Sequence, residues 1–213
     1  KYIMNSVDEN IRNAFIAVHK THENVNQLME YCRTIANEKT NYKTVNGKFL
    51  KWQWNGNYYG WCIDDFILLF QRETDKILKN EWRDGPIYAM EIMLHNDEHF
   101  EQLPTIYLSK FEYEDIASWE KGCSTSNHQH FYYPTKAEYM DIQMIGEEIY
   151  LATPEMKETA DQYYAGVRKV SFVQLPLLSV NAENAEETIF GNFEKLNLTT
   201  TSKEPQIKFG SLY

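Results

Sequence analysis

"FLKWQWNGNYYGW", residues 49–61, is where the hydrophobic pattern of the chain changes period. Leu50, Trp52 and Trp54 alternate with Lys51 and Gln53, which puts the apolar side chains on one face of an extended strand. Asn55-Gly56 follows, two residues that tolerate positive φ and so suit a tight hairpin turn. Upstream the period is that of a helix; downstream it is mostly that of strands. This switch decides the fold class.

Upstream, Ile11, Phe15, Val18, Val25, Met29 and Cys32 recur every three or four residues, with Ala14, Leu28 and Ile35 beside them, to about residue 37. Ser6 with Glu9 three residues later forms a capping-box pattern at the start. A helix of about 30 residues is roughly 45 Å long at 1.5 Å per residue, longer than a small domain is wide. It must lie along a sheet, bend, or reach a partner. His22 falls on the apolar seam, where a hydrogen-bonded core or rim histidine is expected rather than a ligand.

Downstream, the apolar run "FILLFQ" (66–71) suits a strand covered on both faces. Further strands are predicted at 87–94, 105–112, 139–145, 148–152 and 167–175, joined by short links that favour antiparallel pairing. Short helices are predicted at 75–82, closed by the Asp84-Gly85-Pro86 turn, and at 113–121, ending before Gly122. Another is predicted at 154–165, with Thr153 as cap, Pro154 at the first helical position and Gly166 past the end. A last amphipathic helix over 182–196 turns Ala185, Ile189, Phe193 and Leu196 inward.

The expected class is α+β: a long N-terminal amphipathic helix, a mostly antiparallel β-sheet with intervening helices, and a C-terminal amphipathic helix. The expected divisions are the helix at 1–40, packed on or extending from the main domain, an α+β domain at 41–198, and a flexible polar tail at 199–213.

Charge is unevenly spread. Residues 1–83 hold 12 Lys/Arg and 10 Asp/Glu, whereas residues 84–200 hold 7 and 20. A negative field repels phosphate backbones and attracts basic surfaces, so direct nucleic-acid binding is disfavoured and a basic protein partner is favoured. The three cysteines, Cys32, Cys62 and Cys123, form no Cys-x-x-Cys pair, which suits reduced thiols and a cytoplasmic protein. No run of 18 apolar residues and no secretory signal pattern occurs, so no membrane association is expected.

"HNDEH" (95–99) spells the His-x-x-Glu-His order of a zinc-protease signature, but that signature needs a helix. Here a strand-like run precedes it and Asn96-Asp97 is turn chemistry, so His95 and His99 read as loop residues. His128 and His130 would share one face if they lay in a strand, which leaves a metal-dependent hydrolase or nuclease using His95, His99, His128 and His130 as the alternative reading. A nuclease motif of the Asp…Glu-x-Lys type is approached by Asp64 or Asp65 and Glu91, but Met93 stands where the lysine belongs. No phosphate-binding glycine loop is present. A Cys123 nucleophile activated by His128 or His130 lacks the helix N-terminus that would lower its pKa.

The favoured reading is a non-enzymatic interaction module with no cofactor and no metal, in the form of an acidic inhibitor or regulator that masks a basic, nucleic-acid-binding surface of its partner. Glu112, Glu114, Asp115, Glu147, Glu148, Glu183, Glu186, Glu187 and Glu194 would stand in for phosphates. The long helix is the expected place for homodimerisation.

Overall fold

A computed structural model describes residues 6–45, 47, 49–52, 62–94, 103–136, 139–146 and 148–199. Helix α1 spans Ser6–Lys39. The strands follow as β1 (Tyr42–Thr44), β2 (Leu50–Trp52), β3 (Asp65–Arg72), β4 (Ile87–Met93), β5 (Thr105–Tyr113), β6 (Met140–Met144), β7 (Tyr150–Pro154) and β8 (Val167–Pro176). Between and after them lie α2 (His128–Tyr132), α3 (Lys157–Tyr163) and α4 (Gly191–Thr199).

All eight strands form one sheet in the order β1-β3-β4-β5-β8-β7-β6, with β2 also paired to β3, and every pairing is antiparallel. The chain is α+β, as the change of period at residue 49 implies. The Asn55-Gly56 turn itself lies outside the described residues.

Alternation along the strands builds two cores. Phe66, Leu68 and Phe70 of β3, Tyr88, Met90 and Ile92 of β4, and Ile106 and Leu108 of β5 face one side. Val25, Met29, Cys32 and Ile35 of α1 and Ile189, Phe190, Phe193 and Leu196 near the C-terminus cover them. The opposite face carries Ile67, Leu69, Ala89, Tyr107, Phe111 and Phe172, covered by the excursion from β5 to β8 and by the loop after β3. A sheet buried on both faces explains why β3 carries the continuous run Phe66–Phe70 and why β4 is apolar except for Glu91.

Three local expectations change. Residues 75–82 form turns around an isolated Ile77–Arg83 bridge, not a helix, because Gln71 from β3 captures that loop through Arg83 N–H and the Arg83 and Gly85 carbonyls. The helix expected at 113–121 shrinks to one 3₁₀ turn, Ile116–Ser118, since the buried Asn80 amide donates to the Ile116 and Trp119 carbonyls and ties the segment down. Thr153 and Pro154 end β7 instead of starting a helix; α3 begins at Lys157, after Met156 in extended conformation.

The C-terminal helix opens with a π turn, Glu186–Phe190, before α4. Gly166 ends the α3 segment at φ +74°, with its N–H donating to the Ala160 carbonyl at 2.9 Å. Gly166→Ala is expected to cost roughly 1 kcal/mol, measurable as a lower urea midpoint, because a Cβ is strained in the left-handed region.

Candidate functional site

Two features stand apart from ordinary core and surface: a buried cluster of ionisable groups on the sheet, and a helix that projects from it.

The cluster starts at the first residue of β3. Asp65 pairs opposite Met93, and Ile67 pairs opposite Glu91, so Asp65 and Glu91 are diagonal neighbours on one face. Tyr107 lies directly across from Glu91 on β5. Both carboxyl groups are only 2% exposed. His128 comes down from α2, and its Nε2 lies 3.2 Å from Asp65 Oδ1. Lys136, just past the 3₁₀ turn Tyr133–Thr135, places Nζ 2.9 Å from each Glu91 oxygen and 2.9 Å from Thr135 Oγ1. Its ammonium is also held against the Tyr107 ring at 4.0 Å and the Tyr132 ring at 4.7 Å.

The electrostatics follow from burial. Asp65 and Glu91 are buried neighbours, so ionising both carboxyls together is disfavoured. Desolvation pushes Asp65 up to about 6 and Glu91 well above its usual value, with Lys136 opposing the rise in both. Asp65 Oδ2 has no hydrogen-bond partner among the described residues. Burial thus favours the protonated form at both carboxyls, and the Lys136 ammonium favours keeping negative charge there. Burial lowers His128 to about 4, so at neutral pH its imidazole is uncharged and donates Nε2–H to Asp65.

Chemically, the lysine end of this network is saturated. The three N–H bonds of the Lys136 ammonium meet three acceptors, and aromatic rings flank it, so its hydrogen-bonding capacity is used within the fold. The nuclease pattern fails at Met93 in sequence, yet folding brings a lysine to Glu91 from 45 residues away. Glu91 inside the apolar strand "IYAMEIM" was the available signal, because a lone acid in a buried strand demands a partner.

Among the described residues, His128 and His130 do not share one face as the hydrolase reading expects. His95 and His99 lie outside the described residues. His128 and His130 sit on helix α2, where positions i and i+2 point in different directions, not on a strand where they would share a face. His128 meets Asp65, whereas the His130 ring packs on Trp119 at 5.5 Å, and burial lowers its pKa. Among the described residues no three His, Cys, Asp or Glu side chains come together as a metal site. Burial pushes the Cys123 thiol up to about 12, so it stays protonated at neutral pH. His22 is the rim histidine expected, its Nε2 2.8 Å from the Ile63 carbonyl oxygen and its ring edge-on to Phe66.

No family model, no curated protein and no solved structure matches this chain.

The acidic residues divide into two groups. Glu112 lies between Lys110 at 3.1 Å and Lys169 at 3.3 Å, and Glu114 pairs with Lys157 at 2.9 Å. Glu186 pairs with Lys39 at 3.8 Å, while Glu194 accepts from Arg72 and from the Tyr42 hydroxyl. Asp115, Glu148, Glu183 and Glu187 are exposed, and Glu147 lies outside the described residues. Sequence reasoning missed these five ion pairs because, apart from Lys110 on the same strand as Glu112, the lysines and the arginine come from other elements.

The projecting element is the first half of α1. Every residue from Ser6 to Thr21 is exposed, including Val7 at 56%, Ile11 at 53% and Phe15 at 70%. Burial begins only at Val25. The same apolar seam thus runs from bare to covered along one helix. Beside the covered half lies a groove of about 760 Å³ whose walls include Leu28, Tyr31, Leu103, Pro176 and Leu178, closed at one side where the Tyr31 hydroxyl donates to the Ala182 carbonyl. No helix among the described residues is long and apolar enough to cross a membrane.

Proposed function

We propose that the protein is a non-enzymatic interaction module that docks through the projecting first half of α1 and selects basic protein partners by the negative charge of its body. The supporting observation is the bare apolar seam Val7, Ile11, Phe15 and Val18 on a helix segment whose residues from Ser6 to Thr21 are all exposed. An isolated helix of about 12–15 residues is marginal in water, so such a segment gains stability from a partner. Asp115, Glu148, Glu183 and Glu187 remain exposed to face cationic side chains, and the formal net charge of −10 supplies long-range attraction. In this reading the inhibitor covers a basic, nucleic-acid-binding surface of its partner.

Capture from native lysate on wild-type protein and on the Ile11→Glu/Phe15→Glu variant tests this. Wild type should retain a basic protein that elutes as salt is raised, since exposed charges are screened over roughly 8–10 Å near physiological ionic strength. The double variant should retain much less of it. Equal capture by both proteins, or elution indifferent to salt, rejects the proposal.

A further inference from the structure

Resting on the reading of α1 as a docking element, we propose that, until a basic partner takes it, its bare seam is occupied by the same segment of a second copy, aligned antiparallel and crossing near Ala14 and Phe15. Charge selects this partner. The chain carries a formal net charge of −10, yet Ser6–Thr21 holds two acids, Asp8 and Glu9, and two bases, Arg12 and Lys20. The projecting segment is neutral on an acidic molecule. Two copies can meet there without bringing their acidic bodies together.

The order of those charges selects the direction. The acids stand at the tip and Lys20 stands near the body. Antiparallel pairing brings the Asp8/Glu9 end of each helix to the Lys20 end of the other, whereas parallel pairing sets like charge beside like and crowds both bodies at one end. Lys20 also reaches Glu23 of its own helix at 3.1 Å, an exposed i,i+3 pair worth little and free to re-pair. Sixteen residues give a seam of about 24 Å, two or more screening lengths at physiological salt, so the bodies at opposite ends repel weakly.

The apolar positions fit this geometry. Val7, Ile11, Ala14 and Val18 are spaced four, three and four, the repeat that keeps a seam facing a partner helix, and Phe15 flanks that seam. A two-fold axis between Ala14 and Phe15 sets Ile11 opposite Val18 of the other copy and Phe15 opposite Ala14, large against small. The interface is isologous, so one seam serves both copies and the assembly closes at two.

Sedimentation equilibrium of the full chain over micromolar to hundred-micromolar concentrations tests it. Wild type should form dimers, and Phe15→Glu should weaken dimerisation at least tenfold with unchanged circular dichroism, because Phe15 is exposed in the monomer. Asp8→Lys/Glu9→Lys should weaken it about tenfold at low salt, and adding Lys20→Glu to that variant should restore it to within about threefold. A wild-type monomer at the highest concentration overturns the proposal, and so does a dimer that Phe15→Glu leaves intact. A charge-reversal effect that Lys20→Glu fails to restore overturns the antiparallel arrangement. A monomer whose α1 variants still lose the captured basic partner sinks self-pairing alone; a monomer whose variants keep it sinks the docking role of α1 as well.

Discussion

Lys136→Met is expected to lower the folding stability by about 3–5 kcal/mol, the typical cost of leaving one member of a buried ion pair behind. The substitution keeps the length of the side chain and its packing between Tyr107 and Tyr132, but removes all three donors that Glu91 and Thr135 receive. The Asp65 and Glu91 carboxyls would then have to be protonated or keep an uncompensated charge in a site that is almost solvent-free. Urea denaturation checks the size of the loss. The double variant Glu91→Gln/Lys136→Met should regain part of it, since removing both partners abolishes the stranded charge. A loss below about 1 kcal/mol for the single variant, the range of exposed pairs, would mean that the ammonium is not a working member of the network.

Asp65→Asn is expected to gain on wild type by about 3 kcal/mol as pH rises from about 4 to 7. Burial raises Asp65 to about 6 from an ordinary value of 3.8. Below the ordinary value the group is protonated in both folded and unfolded chains and the contribution of its raised pKa is fully present. As pH climbs to the folded value, the unfolded chain releases its proton first and wild type loses that contribution, about 1.4 kcal/mol per pH unit of separation. Asparagine does not titrate, so the variant escapes the loss.

His128 runs the other way. Burial lowers it from 6.5 to about 4, so its contribution is present above the ordinary value and lost as pH falls through the folded one. In wild type the two slopes offset each other between about pH 4 and 6, whereas the variant should show the histidine slope without the opposing one. Unfolding curves at several pH values in this window test the sign directly. Parallel pH profiles for wild type and variant would show that Asp65 titrates normally in the fold.

The elements set by local pattern are legible in the sequence. The spacing from Ile11 to Cys32 marks α1, the run "FILLFQ" marks β3, and Ala185, Ile189, Phe193 and Leu196 mark the inward face of the last helix, all four fully buried. What local pattern cannot show is which distant group satisfies a polar one. Residues 113–121 have helical composition, but Asn80 claims their carbonyls. The charge cluster depends on the same long-range logic: Asp65 and Glu91 stand on neighbouring strands, yet His128 and Lys136 arrive from the excursion after β5. Spacing in the chain contains no trace of that meeting. The carboxylates of the acidic half are equally deceptive, because Arg72, Lys110, Lys157 and Lys169 draw several of them into internal pairs.

An open antiparallel sheet has two free borders, and each is a template on which another chain could polymerise. Here one border is divided: β1 and β2, three residues each, share the outer side of β3, covering opposite ends of it. Neither offers an incoming strand a ladder of useful length. The other border, β6, is five residues long and carries Asp141, whose charge opposes flush edge-to-edge growth. Growth through the described strands of the sheet is disfavoured at both borders, and the proposed pairing of the first helix would end at two copies.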